Sequence, residues 1–141
     1  MKVQAKIDYA CKALLELAKH WPNQVPLQVN EIAERQHLPI KFLIQILIVL
    51  KQFGYVESVR GQKGGYVLAK PPKEIKLGNL FKSLSASTEG MRKGVRSRSD
   101  EVFDPIWQEG DRAMLRVLDT TTFDELVKRE QALHKIPLYA I

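Results

Sequence analysis

Apolar residues return at Ile7, Ala10, Ala13, Leu14, Leu17, Ala18 and Trp21, a single stripe at the 3.6-residue period that predicts an amphipathic first helix stopped by Pro22. A polar connection leads to "VNEIAERQ", where Val29, Ile32 and Ala33 share one side, and the tight link "HLP" leads to the longer "IKFLIQILIVLKQFG". Pro39 suits the first position of that third helix, because its missing N–H is one the helix start does not use, and Gly54 suits its end. Two short helices joined by three or four residues, the second longer, make a helix-turn-helix pattern. Within the third helix, Phe42, Leu43, Ile46, Leu47 and Leu50 form the predicted core face, and Ile40, Ile44 and Ile48 form a second apolar stripe on the opposite side.

The pattern then changes period. "YVESVR" and "GYVLAK" are β-prone arms around "GQKG", with Gly61 and Gly64 expected to supply the positive φ angles of a hairpin loop. A helix-turn-helix followed directly by a basic hairpin is a winged helix, with Arg60, Gln62 and Lys63 at the wing tip. Pro71 and Pro72 close the wing, and "IKLGNLFKSL" reads as another helix. Residues 85–101 read as a flexible basic loop containing Arg92, Lys93, Arg96 and Arg98. From Val102 to about Asp119 apolar positions recur at helical spacing, and Thr122 with Glu125 forms a T-x-x-E capping box for a last short helix with Phe123, Leu126 and Val127. The predicted fold is mainly α with a small β-hairpin. Its organisation is a winged helix-turn-helix at 1–84, the loop at 85–101, and a long helix plus a short C-terminal helix at 102–141.

Charge sharpens this division. Residues 1–82 carry 13 Lys and Arg against 6 Asp and Glu, a net +7, while residues 99–141 carry 5 against 9, a net −4. A cationic front half suits a polyanion, and duplex DNA is the partner a winged helix implies. No apolar run reaches the roughly 20 residues needed to cross a bilayer, and no secretion signal opens the chain, so a cytoplasmic protein with no membrane role is expected. No Ser-His-Asp set, paired-carboxylate arrangement or phosphate-cradling loop stands out, since "GQKGG" leads into a strand rather than a helix. An enzyme is the weakest reading. His20, His37 and His134 show no ligand spacing. His37 fits a turn conformation that histidine tolerates. The one cysteine, Cys11, reads as a buried or half-buried structural thiol, with a redox role as the alternative.

"EIAERQHLPIKFLIQIL", "GYVESVRGQKGGYVLAKPPKEIKLGNLF" and "IWQEGDRAMLRVLDTTTFDELV" resemble, in order and spacing, the IscR-type winged-helix regulators of the Rrf2 family. The motif R-G-x-x-G-G-Y, here Arg60 to Tyr66, is the most specific part of that resemblance. It implies a homodimer held by the long helix after the basic loop, binding an inverted-repeat operator. It also implies that the second helix of the motif enters the major groove and Arg60 the minor groove. Many relatives hold an iron-sulfur cluster through three cysteines in the loop before the long helix, with one further ligand from the first helix in some. The loop here contains no cysteine, with serines at 85, 87, 97 and 99, and Asp8 at the place of the extra ligand reads as a solvated carboxylate. No metal and no cofactor are therefore expected, and a regulatory protein or a small-molecule effector is left as the source of the signal.

The expected DNA-binding residues are Ile40, Lys41, Ile44, Gln45 and Ile48 on the third helix and Arg60, Gln62 and Lys63 on the wing. The expected dimerisation residues are Ile106, Trp107, Gly110, Met114, Val117 and Leu118. Ile44 stands where family members commonly have glutamate, so an operator richer in A·T, read through thymine methyl groups, is expected. The competing reading buries Ile44 or Ile48 against the first helix or a partner. At the level of function, the alternative to a DNA-binding regulator, most simply a repressor, is a winged-helix subunit that docks on another protein.

Overall fold

The computed structural model describes residues 2–86 and 96–134. Helix α1 is Ala5–Ala18, α2 is Val29–Gln36 and α3 is Ile40–Gln52. Strands β1, Val56–Val59, and β2, Gly65–Leu68, form an antiparallel hairpin with Val56 opposite Leu68 and Val59 opposite Gly65. A 3-10 turn at Pro72–Glu74 leads to α4, Leu77–Ser85, and then follow α5, Arg98–Leu118, and α6, Phe123–His134. None of the helices among the described residues is long and apolar enough to cross a membrane.

The core forms where α1 lies against α3. Ala10 and Ala13 are small enough to let the two helices approach closely, and Leu14 and Leu17 on α1 meet Leu43, Leu47 and Leu50, all fully or nearly fully buried. Leu80 and Leu84 of α4 and Phe123 of α6 close the same core from the other side. Helix α6 thus belongs to the winged-helix body although α5 separates them in sequence. Backbone bonds tie it there: the Leu77 amide donates to the Thr121 carbonyl at 2.9 Å and the Phe123 amide to the Ile75 carbonyl at 3.0 Å. The Thr122 hydroxyl accepts from the Glu125 amide at 3.3 Å, as the capping box predicts.

The two helices of the helix-turn-helix meet at His37, whose φ of 54° and ψ of 47° place it in the left-handed region at the end of α2. Pro39 turns out to precede α3 as its N-cap, with extended ψ, rather than opening the helix. Helix α5 starts at Arg98, four residues before the first apolar position that announced it. The Asp100 carboxylate accepts from the Ser97 amide at 2.7 Å, so a wholly polar stretch begins the helix. Arg98 is therefore helical rather than part of a loop, and Arg96 pairs with Asp104. Arg92, Lys93 and Ser87 lie outside the described residues.

The wing departs from expectation at one glycine. Gly61 has a φ of +111°, but the second positive φ belongs to Gly65, at +145°, and not to Gly64. Gly64 and Gly65 are also required by crowding, whereas a Cβ on Gly61 would meet open space. A Cβ on Gly64 would stand 2.1 Å from the Val59 carbonyl oxygen, and one on Gly65 2.3 Å from that of Leu27. The latter contact exists because Leu27 pairs with Tyr66 as an isolated bridge, its amide donating at 3.0 Å and its carbonyl accepting at 2.8 Å. Gly65→Ala must break that bridge or strain the hairpin, and is expected to cost about 1–3 kcal/mol. Urea unfolding checks this against Gly110→Ala, where the added Cβ meets open space and the monomer gains about 1 kcal/mol of helix propensity.

Candidate nucleic-acid interface

The geometry of α3 follows from which face the core takes. Leu43, Ile46, Leu47 and Leu50 are buried, so the row Lys41, Gln45, Ile48 and Gln52, spaced four, three and four residues apart, points most directly outward. Ile40 and Ile44 border that row on one side. They and Ile48 are 45 %, 43 % and 48 % exposed, which removes α1 as their cover. Phe42 corrects the sequence reading: expected in the core, it is 62 % exposed. It lies with Val49 on the opposite border, toward the start of α1, where α3 leaves the core. Gln52 is the position that sequence reasoning missed, and the spacing from Lys41 and Gln45 was its available signal.

Helix and wing are fastened to each other. The Lys51 ammonium donates to the Ser58 hydroxyl on β1 at 2.8 Å. At the tip, the Gln28 side-chain amide donates to the Gln62 carbonyl at 3.4 Å, so the residue preceding α2 touches the loop that carries Arg60, Gln62 and Lys63. Those three side chains are exposed. At the base of the wing the Lys70 ammonium sits 5.2 Å from the centroid of the Tyr55 ring. An exposed apolar-and-amide row on α3 and an exposed cationic wing are thus held in one frame by contacts that sequence periodicity does not reveal.

Beneath this frame lies Glu16, only 4 % exposed. Its carboxylate accepts from Lys19 at 2.8 Å and from the Gln36 amide at 2.6 Å, with the Arg35 guanidinium 3.8 Å away, while Lys19 also pairs with Glu130 of α6. One carboxylate therefore joins α1, α2 and, through Lys19, α6. Burial opposes its ionisation, but the hydrogen bonds from Lys19 and Gln36 and the charges of Lys19 and Arg35 outweigh it and hold the carboxyl below its ordinary value.

The expected dimerisation residues divide in two. Ile106, Trp107, Gly110 and Val117 are exposed on α5, whereas Met114 and Leu118 are half-buried. No residue of α5 is fully buried. Asp119, just past its end, sits against Gly78 of α4 and 3.5 Å from the Lys82 ammonium.

A body of three helices, a hairpin wing and an outward-facing second motif helix defines a winged-helix DNA-binding regulator. Residues 3–129 match the family model described as "Rrf2: Iron-dependent Transcriptional regulator". The chain belongs to the Rrf2 family. It is 36 % identical to a candidate HTH-type transcriptional regulator of Synechocystis sp., over 89 % of this chain and 87 % of that protein. Among solved structures it is similar to T. potens IscR, with a TM-score of 0.80 and 34 % identity over 99 % of this chain and 96 % of that one. It is also similar to CymR, the global cysteine regulator of B. subtilis, with a TM-score of 0.73 and 31 % identity over 92 % and 98 %.

The iron in the family description finds no fitting donor set here. The chain has one cysteine, Cys11 on α1, and no group of three or more His, Cys, Asp or Glu side chains among the described residues is arranged to hold a metal. Burial, with the nearby Asp8 charge, pushes the Cys11 thiol up to about 12, the opposite of what a ligating or redox-active thiolate needs. Asp8 itself pairs with Lys12 at 2.8 Å.

Two measurements follow. Cys11 should resist iodoacetamide at pH 8 in the native protein and react fully after denaturation. For Glu16, a folded-state pKa below the unfolded one means stability that is complete at neutral pH and is lost as pH falls from about 4.5 through the lower folded value. Glu16→Gln should flatten that acid limb of the stability curve, measured by chemical denaturation between pH 3 and 7.

Proposed function

We propose that the chain is a sequence-specific transcriptional repressor that binds an inverted-repeat operator as a homodimer without an iron-sulfur cluster. Helix α3 lies in the major groove and the wing reaches the adjacent minor groove. The observation that carries this reading is the exposed stripe Ile40, Ile44 and Ile48 beside Lys41 and Gln45, in one frame with an exposed wing bearing Arg60, Gln62 and Lys63. Gln45 presents the amide that pairs with an adenine edge, Lys41 near the helix start meets a phosphate, and the isoleucines pack on thymine methyl groups. The half-site is accordingly rich in A·T. Arg60 enters the minor groove, where narrow A·T tracts concentrate negative potential.

Support for a homodimer comes from α5, whose Ile106, Trp107 and Val117 are more than half exposed. A two-fold dimer reads a two-fold operator. With a single thiol, held protonated, the signal comes through a protein or small-molecule effector rather than through a cysteine-ligated cluster. The apolar stripe on α3 also suits a winged helix that docks on a protein. The DNA experiment separates the two readings.

Selection of binding sites from random duplexes should return palindromes with A·T-rich half-sites, and Ile44→Glu should abolish or retarget binding while leaving the circular dichroism spectrum unchanged. Arg60→Ala should weaken binding by about 1–3 kcal/mol, and affinity should fall steeply with salt. G·C-rich half-sites, or an Ile44→Ala protein with unaltered preference, would remove the thymine contact. Failure to recover any site would favour the protein-docking reading.

A further inference from the structure

Four basic side chains of α1, α2 and α6 pair with an acid four positions earlier on the same helix. Lys12 meets Asp8 at 2.8 Å, Arg35 meets Glu31 at 3.8 Å, Lys128 meets Asp124 at 3.1 Å and Arg129 meets Glu125 at 2.7 Å. Helix α5 breaks that arrangement. Gln108 stands four positions before Arg112, and Arg112 itself stands four before Arg116. Two guanidinium groups so spaced repel each other and weaken the helix. Among the described residues neither makes a hydrogen bond or an ion pair.

The two arginines line a cleft of about 520 Å³ where α4 and α5 of one chain meet, together with Lys82, Glu109, Leu115 and Asp119. At one end Asp119 faces Lys82 at 3.5 Å, and its other carboxylate oxygen is buried against Gly78, so that pair largely neutralises itself. At the other end stands Glu109, three positions before Arg112. Between them lie two uncompensated positive charges, roughly 6 Å apart along the helix axis, beside the apolar Leu115. By the 3.6-residue period the cleft lies roughly opposite Ile106, Trp107 and Val117, so the surface proposed for the homodimer is a different one.

We propose that this cleft binds a compact dianionic oxyanion, a phosphate monoester or a dicarboxylate, through Arg112 and Arg116 of α5 and Lys82 of α4. The planar guanidinium fork matches the oxygens of either group, and two forks on one helix face supply the opposite charge. Glu109 and the acids Asp100, Glu101, Asp104 and Asp111 toward the start of α5 repel a longer polyanion, so the site rejects a nucleic-acid strand and takes a small molecule. Its regulatory role rests on the repressor reading above and gives the effector a site and a chemical class. An anion bridging α4 and α5 sets the angle at which the long helix leaves the body, and with it the spacing of the two α3 helices in the homodimer.

Titration of the full chain at constant ionic strength with inorganic phosphate, β-glycerophosphate and succinate tests this, followed by calorimetry and by the arginine Nε–Hε NMR signals. The expected result is saturable binding of one anion per chain, with shifts at Arg112 and Arg116 and none at Arg60, and an affinity lowered about tenfold or more by Arg116→Gln. The bound anion should also change affinity for the selected operator, an effect lost when Arg112→Gln and Arg116→Gln are combined. Saturation by the phosphates alone, or by succinate alone, names the source of the oxyanion. Equal shifts at Arg60, binding unchanged by Arg116→Gln, or no binding of any of the three would overturn the site. Anion binding with operator affinity unmoved would overturn the role as effector and leave the site standing. Anion binding by a chain that selects no operator would instead overturn the repressor reading.

Discussion

The packing of α1 on α3 is the contact on which the other features depend. Because Ala10 and Ala13 leave room for Leu43 and Leu47, α3 sinks one face into the core and must present the opposite one. A helix with apolar residues nearly all round would ordinarily be buried on all sides. Here the core takes only Leu43, Ile46, Leu47 and Leu50, and the apolar surplus divides between an outward stripe and the border beside α1. Single replacements at Leu43 or Leu47 leave a cavity and cost about 2–5 kcal/mol, and they also release the orientation of the exposed face.

Around that packing, the polar contacts fix positions more than they add stability. Glu16 connects α1 to α2 through Gln36 and, through Lys19, to α6, so the element after the long helix is locked to the helix-turn-helix. The pair Leu27–Tyr66 and the bond from Lys51 to Ser58 do the same for the wing. Each bond contributes on the order of 1 kcal/mol net. Their combined effect is to leave α3 and the wing little freedom relative to each other, which under the proposed function would lower the ordering cost of engaging two grooves together.

Much of this was legible in the sequence because it is local. The helix-turn-helix follows from 3.6-residue periodicity interrupted at "HLP", and the wing from the change to β-prone arms around glycine. His37 in the left-handed region and Thr122 as a cap also follow from local chemistry. What failed is non-local. Periodicity cannot tell which of three apolar faces of α3 the core will take, so Phe42 was misplaced. Leu27, 38 positions earlier in the chain, lies against Gly65, the glycine whose φ is positive where that of Gly64 is not. Glu16 carries no signal because Gln36 and Arg35 reach it from α2 and its link to α6 runs only through Lys19, and the polar start of α5 has no apolar residue to mark it. At the interface, the exposure of Ile40, Ile44 and Ile48 was readable from the stripe they share, whereas the bonds that join helix to wing were not.

The central claim is that the outer face of α3 and the wing act on DNA as one surface. Methyl and amide NMR of isoleucine-labelled protein titrated with its selected operator tests it most directly. The account predicts shifts and nuclear Overhauser contacts from the methyls of Ile40, Ile44 and Ile48 to thymine methyls, together with shifts at Arg60 and Lys63, while Ile7 and Ile32 in the core stay still. Shifts confined to α5 or α6, with the three α3 isoleucines unmoved at saturating DNA, would contradict it.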